Sequence, residues 1–571
     1  MDHSAFHYRQ LLCGGVSFIR TIPRRVLNHP FHVLGLLGLL AGSALPAFGQ
    51  VRPGTCAPGS AVAFLDIGNV TALVRNDGGN FFPSSGSFPL HYEVPKGSGM
   101  NAHFAESMWI GGFVDGALRV SASTYGPQEL WPGPLDTHAG PRDCSAFDRI
   151  WEARHVAHGP LDLTPDILEW PVQLGAPYLE LDGAQGYTPR GKDRPAIRGD
   201  QYLWWITNDT GNSHQTSGSA PLGLEIINEA WAFDREGNLG LTTFYRYTLI
   251  NKGPSTITDT YIGLFSDIDL GNPWDDAVGS DSTLSLAYVY TNQPSDGTYG
   301  SPGPAFGFTL LEASHSRGGL PSDWNAGPSA YMTSVIGPQK GGRNGEWPTT
   351  PERVYRFLRG LWGDDGAPMT ASGYGWEGSG PTTRYLFHGD PVTGQGWSEL
   401  NTDGRGAHLD GYDKRVLGSH GPFDLAPGDS ASFTFAYVFA RGADHLDSVS
   451  RLKATTAYLH NVKNGLLAHR LPPNPQFIDA NPPESRFPFW VDEPYPNPAD
   501  DRVMLRMSLK WDAPVSITIH DMLARERLRE TSPASPGPMT RTLDVSGWPP
   551  GLYVIRVSQR GDHIDWPLIV M

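Results

Sequence analysis

The chain has 571 residues, 68 of them Gly and 50 Pro, with 18% charged, 11% aromatic and a formal net charge of −16. That much aromatic surface has to be buried, which excludes disorder for the bulk, and the glycines keep no period of three, which excludes collagen. The acidic balance makes a nucleic-acid backbone or an anionic lipid surface a poor partner, and the length predicts about three or four domains of ~150 residues each.

Residues 1–49 read as a secretory signal peptide. Arg9, Arg20, Arg24 and Arg25 stand against one acid, Asp2. The apolar run Phe31–Ala41 follows, then small residues ending in Ala47-Phe48-Gly49. The run falls short of the ~20 residues a membrane span needs, so cleavage is expected rather than anchoring. No later segment is apolar enough to cross a bilayer. Cys13 leaves with the leader, and Cys56 and Cys144 remain. Two thiols in an exported chain can form one disulfide, but spacing alone leaves that pairing open.

Residues 50–465 form a β-rich body in which two subdomains are expected, with no visible boundary. Short apolar-polar runs alternate with Gly, Pro, Asn and Asp clusters. Thr242–Ile250 is rich in β-formers and follows the turn Asn238-Leu239-Gly240. In Ser430–Ala440, Ala431, Phe433, Phe435, Tyr437 and Phe439 share one face, predicting a strand with one heavily apolar side. One helix is predicted from Leu446, Val449, Leu452, Thr456, Leu459 and Val462 at spacings of three and four. Asp444 caps its start, Gly465 is its expected stop, and a sheet edge is its expected seat. The fold class is mainly β: a multidomain, β-sandwich-like body with few helices, then a small immunoglobulin-like β-sandwich.

The segment Ser266–Asp281 carries the strongest chemical signal. Asp267, Asp269, Asp275, Asp276 and Asp281 lie among Gly and Pro bends. A hard cation takes six to eight oxygen ligands, so these five are the candidate metal ligands and Ca²⁺ the candidate cofactor. Gly271 stands where an EF-hand needs an oxygen side chain, so the loop is not an EF-hand. The plainer alternative is a solvated loop whose Asp residues build turns. Glu225, Glu229 and Asp234, near Trp204, Trp205 and Trp231, are the candidates for glycoside hydrolysis. That chemistry needs carboxyls ~5–5.5 or ~6.5–9.5 Å apart across a cleft. His103, His155, His158, His388 and His420 are scattered, and neither H-E-x-x-H nor G-x-S-x-G occurs. Gly373-Tyr374-Gly375-Trp376-Glu377-Gly378 matches a dinucleotide fingerprint in form, but its flanks read as loop. Trp204, Trp205, Trp362, Trp376 and Trp397 are candidates for a carbohydrate-stacking platform, or else core anchors.

Residues 466–494 are a Pro-rich linker, and 495–571 a small all-β domain. In that domain Val503, Leu505, Met507 and Leu509 alternate, as do Val515, Ile517 and Ile519, and then Tyr553, Ile555 and Val557.

The tail carries Tyr495-Pro496-Asn497-Pro498, Val515 to Asp521, Leu543-Asp544-Val545-Ser546, Pro550-Gly551-Leu552-Tyr553 and Pro567 to Val570. In order, spacing and position it resembles the C-terminal sorting domain of type IX secretion substrates. Ala524-Arg525 stands where that family usually has Gly-Arg. The resemblance implies export through the periplasm and recognition by an outer-membrane translocon. The protein would end at the cell surface or outside the cell. Tyr92–Gly99, Met108–Gly112, Trp131–Pro134, Ser266–Asp281 and Leu358–Trp362 resemble long regions found upstream of such tails, a likeness that implies no activity. The expected function is therefore an exported structural or glycan-binding module. The alternative is a secreted hydrolase acting on polysaccharide or peptide.

Overall fold

The computed structural model describes residues 54–82, 91–125, 128–136, 140–141, 143–154, 163–183, 186–190, 193–315, 330–335, 350–363, 365–376, 380–469, 490–492, 494–510, 512–521, 525–535, 537–560 and 562–571. The signal peptide, His155, His158, Glu377, Gly378, Ala524 and most of the linker lie outside these residues. In chain order the main body elements are β1 (Ala105–Val114), β2 (Trp151–Arg154), β3 (Gln201–Asn208), β4 (Leu224–Ala232), β5 (Thr242–Asn251) and β6 (Ile257–Asp267). Then come β7 (Asp276–Asp281), β8 (Leu286–Thr291), β9 (Ala305–His315), β10 (Ala330–Val335), helix α1 (Pro351–Leu358), β11 (Lys414–Leu425), β12 (Ser430–Ala440) and helix α2 (His445–Leu467).

A central nine-stranded antiparallel sheet runs in the order β2-β3-β4-β5-β12-β9-β8-β7, with Trp131–Pro132 pairing β3. A six-stranded sheet in the order β10-β11-β6-β1 and Gly79–Asn80, with Ala117–Ser121 beside β1, packs against it. The sheets share one core: Leu264, Ile262 and Ile110 from the second sheet join Phe433, Phe435, Tyr437 and Phe439 of β12. Strand β12 spans the residues its alternation predicts, but both its faces are buried. Ala436, Val438 and Ala440, on the side that reads as the less apolar face, belong to a second core with α2. The strand sits between β5 and β9 in mid-sheet, with the six-stranded sheet over one face and α2 over the other. Each fully buried aromatic there is worth ~1.5–3 kcal/mol relative to exposure.

Helix α2 corrects two expectations. It lies on the face of the central sheet, against β8, β9 and β12, rather than across an edge. It also continues past Gly465 to Leu467. Leu466 and Leu467 are buried in the helix core, and the Leu467 carbonyl accepts a hydrogen bond from Arg198 Nε at 2.7 Å. Tertiary burial thus outweighs the local helix-ending preference of glycine. At the other end Asp444 caps as predicted, its carboxylate accepting from the N–H groups of Leu446 and Asp447. Helix α1 approaches the second sheet where Gly111 and Gly263 lie. A Cβ on Gly263 would come within 2.7 Å of Leu358, so glycine permits the close contact.

The tail comprises β13 (Arg502–Leu509), β14 (Val515–Asp521), β15 (Glu526–Ser532), β16 (Gly537–Asp544), β17 (Gly551–Gln559) and β18 (Asp562–Val570). Trp490–Val491, β13 and β16 form one sheet, and β15-β14-β17-β18 another. Val503, Leu505, Met507, Ile517, Ile519, Ile555 and Val557 bury themselves in a core of their own. Among the described residues, none of these strands joins a body sheet. The tail nevertheless rests on the body. Arg506 pairs with Glu236 at 3.1 Å, Arg235 with Asp492 at 3.4 Å, and Asn238 Nδ2 donates to the Asn497 carbonyl at 2.8 Å. The Trp566 and Tyr458 rings stack at 6.1 Å. A cavity of about 390 Å³ lies in this seam, lined by Asp234, Glu236, Asp492, Tyr495 and Arg506.

Candidate functional site

Strand β6 ends at Asp267, and its antiparallel register sets Asp267 opposite Arg415 of β11. That pairing draws in Asp413, two residues earlier on the approach to β11. The carboxylates of Asp267, Asp269 and Asp413 converge, with one oxygen from each within 4.8 Å of the others. Asp267 lies at the bottom with no exposed surface, while Asp269 and Asp413 are half-buried. Tyr125 donates its hydroxyl to Asp267 Oδ2. Arg415 Nε donates to the Tyr125 hydroxyl at 2.7 Å and lies 3.0 Å from Asp267 Oδ1, while its Nη1 binds Asp413.

Three carboxylates and one guanidinium leave the cluster net negative. Two like charges within 4.8 Å of each other repel by about 3.5 kcal/mol or more at an effective dielectric of ~20. Protons are the first remedy available. Burial, opposed by Arg415, pushes the Asp267 carboxyl up to about 6. Burial, reinforced by the charges of Asp267 and Asp413, pushes Asp269 up to about 8. Asp276 stands just behind. It is 1% exposed, its Oδ2 accepts the Leu270 N–H at 3.1 Å, and burial raises its carboxyl well above the ordinary range. Among the described residues, nothing donates a hydrogen bond to Oδ1 of Asp269 or Asp276, while Oδ1 of Asp267 is ion-paired with the Arg415 guanidinium. Lys414 faces another way, binding Glu399 at 2.8 Å and the Asp276 carbonyl at 2.7 Å.

The five candidate ligands therefore divide. Asp267 and Asp269 converge, and Asp276 adjoins them. Asp275 instead organises a turn, accepting from Asn272 Nδ2 at 2.8 Å and from the Gly297 N–H at 3.2 Å. Asp281 caps a short 3₁₀ turn through the Thr283 and Leu284 N–H groups and lies 3.6 Å from Lys453. Sequence reasoning missed Asp413. The only signal was the charged run Asp413-Lys414-Arg415 ahead of a strand.

The hydrolase candidates are occupied. Glu229 is 7% exposed and binds Arg198 and the Tyr202 hydroxyl. Glu225 pairs with Lys252 at 3.2 Å and accepts the Leu135 N–H at 2.7 Å. Asp234 lies apart on the surface at the tail seam. The stacking-platform candidates Trp204, Trp205, Trp362 and Trp397 are buried, and Trp376 is half-buried against Trp362. Trp274 is an exposed ring, at 59%, edge-on to Tyr412 at 5.2 Å. His103 is fully buried, with its ring held neutral by burial down to about 3, and His420 packs on Phe433 and Phe435. The described part of the glycine-rich fingerprint, Gly373–Trp376, is a turn, with Gly375 N–H bonded to the Ser372 carbonyl at 2.9 Å. Cys56 and Cys144 form a disulfide, Cα to Cα 5.7 Å, packed on Trp131.

Residues 493–571 match the secretion system C-terminal sorting domain family. The chain thus carries the tail of a type IX secretion substrate, which marks it for export to the cell surface or the extracellular space. No curated protein matches it. Among solved structures, a polysaccharide lyase is similar at 8% identity and a TM-score of 0.18, over 61% of this chain and 34% of that one. Dimeric latent PorU from Porphyromonas gingivalis is similar at 11% identity and a TM-score of 0.14, over 66% of this chain and 32% of that one. The chain spans about a third of the length of either, and neither likeness bears on the activity of the body. Among the described residues, no helix is long and apolar enough to cross a membrane.

Proposed function

We propose that the chain is an exported protein whose body is a non-catalytic, glycan-binding or structural β-sandwich, with residues 495–571 as its export label. The observation that carries this reading is how the candidate acid–base groups are used. Glu225 and Glu229 are both buried in ion pairs and hydrogen bonds within the central sheet. A general acid or nucleophile needs an open cleft and a partner carboxyl facing it. These two face basic side chains instead. Trp274, with Tyr412 beside it, is the surface on which a sugar ring would stack.

The test pairs a glycan array with a general hydrolase screen on the purified exported protein. Binding that Trp274→Ala removes, without turnover, supports the reading. Turnover of any polysaccharide or peptide that survives purification to homogeneity overturns it. The export label is tested separately. Deleting residues 495–571 should hold the protein in the periplasm, and a truncated chain that still reaches the surface or the medium refutes the label.

A further inference from the structure

We propose that Asp267, Asp269 and Asp413 form a binding site for one hard divalent cation, with Ca²⁺ as the ion that fits. Three observations carry this independently of what the body binds.

The first is convergence. The ligands come from the end of one strand, the bend after it and the approach to its neighbour. The β6–β11 register, rather than chance loop geometry, brings one oxygen of each within 4.8 Å of the others. The second is the set of buried carboxylate oxygens without a hydrogen bond. Asp276 is 1% exposed, yet among the described residues nothing donates to its Oδ1 or to that of Asp269, while Oδ1 of Asp267, which has no exposed surface, meets the Arg415 guanidinium at 3.0 Å. A buried acceptor is costly to leave unmade, and carboxylate oxygens grouped in this way are what a cation at the centre would satisfy. The third is charge. Arg415 is the cation in contact with the cluster, while Lys414 is committed to Glu399. One guanidinium against three carboxylates, with Asp276 behind them, leaves room for a divalent ion.

The donor chemistry selects the ion. All the donors are oxygen, with no His or Cys among them, which disfavours zinc and copper. Mg²⁺ demands near-ideal octahedral geometry, whereas Ca²⁺ accepts irregular carboxylate sets and completes its shell with water. Asp269 and Asp413 are partly exposed, so water reaches the site from their side. The tyrosine and arginine around Asp267 orient its carboxylate, the usual role of groups behind metal ligands.

The experiment uses the full-length protein stripped with EDTA and titrated with CaCl₂ by calorimetry, with MgCl₂ and ZnCl₂ as parallel probes. The expected result is one Ca²⁺ per chain, and a melting temperature that rises in CaCl₂ and falls in EDTA. Asp413→Asn and Asp269→Asn each weaken binding by about tenfold or more and blunt the response to EDTA. Asp281→Asn, outside the cluster, leaves both unchanged. Asp269→Asn is a second, independent amide variant that keeps the test alive if Asp413→Asn does not fold. No calcium heat together with equal melting in CaCl₂ and EDTA overturns the site and leaves protonation as the way the cluster is neutralised. Binding retained in both amide variants, or tighter binding of Zn²⁺ than of Ca²⁺, overturns the assignment as well.

Discussion

Replacing Ile519 by Ala tests whether the tail is a cooperative unit of its own. Ile519 is fully buried in the middle of β14, opposite Leu528 of β15 and Ile555 of β17. It belongs to the tail core and to neither body core. Truncating a buried Ile to Ala costs ~2–5 kcal/mol through lost transfer energy and the cavity left behind. A domain of this size has a total stability of about 4–12 kcal/mol, so the loss is a large share of it. At ~4–8 °C per kcal/mol for a unit this small, a loss of ~3 kcal/mol lowers the tail transition by about 12–24 °C. The body transition should move by less than about 2 °C, because sites that share no partners behave additively. Differential scanning calorimetry of the full chain reads both transitions, and cell fractionation reads export, which should fall with the folded fraction of the tail. A single transition that shifts as a whole would show tail and body to be one cooperative unit and refute the argument.

Three further predictions address other features. The tail–body seam is polar, and its Arg506–Glu236 pair is half-exposed or more on both sides. Such pairs are worth ~0.2–1 kcal/mol each and are screened by salt. Arg506→Glu should therefore loosen tail from body in small-angle scattering, and adding Glu236→Arg should restore compactness; no loosening, or no rescue, would show that this pair does not hold the seam. The Cys56–Cys144 bridge closes a loop with a sequence separation of 88. Chain entropy for such a loop corresponds to about 4.6 kcal/mol as an upper figure. Cys56→Ser should lower body stability measurably in denaturant titrations, and an unchanged midpoint would show that the bridge constrains little. Glu106 is buried, nothing among the described residues donates to its Oε2, and burial pushes its carboxyl from 4.5 up to about 8. The folded state then holds a proton that the unfolded chain loses first, so this group's contribution to stability is full below about pH 4.5 and falls as pH rises towards 8. The slope is about 1.4 kcal/mol per pH unit within that window, and it should flatten in Glu106→Gln.

The export tail was legible in the sequence because its signals are local: alternating strands, a Tyr-Pro-Asn-Pro start and a Pro-Gly-Leu-Tyr turn placed in order at one end. The β12 strand and the α2 periodicity were legible for the same reason, since side-chain period reports secondary structure without reference to any partner. Sequence did not reveal that both faces of β12 are buried, or that α2 lies on a sheet face and runs through Gly465. Those depend on what packs above and below, and burial of Leu466 and Leu467 outweighs a glycine's local preference. The acidic segment shows the division most plainly. Composition nominated five Asp residues, but a turn took Asp275, a cap took Asp281, and strand register supplied Asp413 from far along the chain. Likewise the Trp residues that suggested a sugar platform are mostly core. Residue type is a local property and is written in the chain. Which oxygens converge, which rings meet water and which thiols pair are properties of long-range pairing between β-strands, and only the assembled sheets decide them.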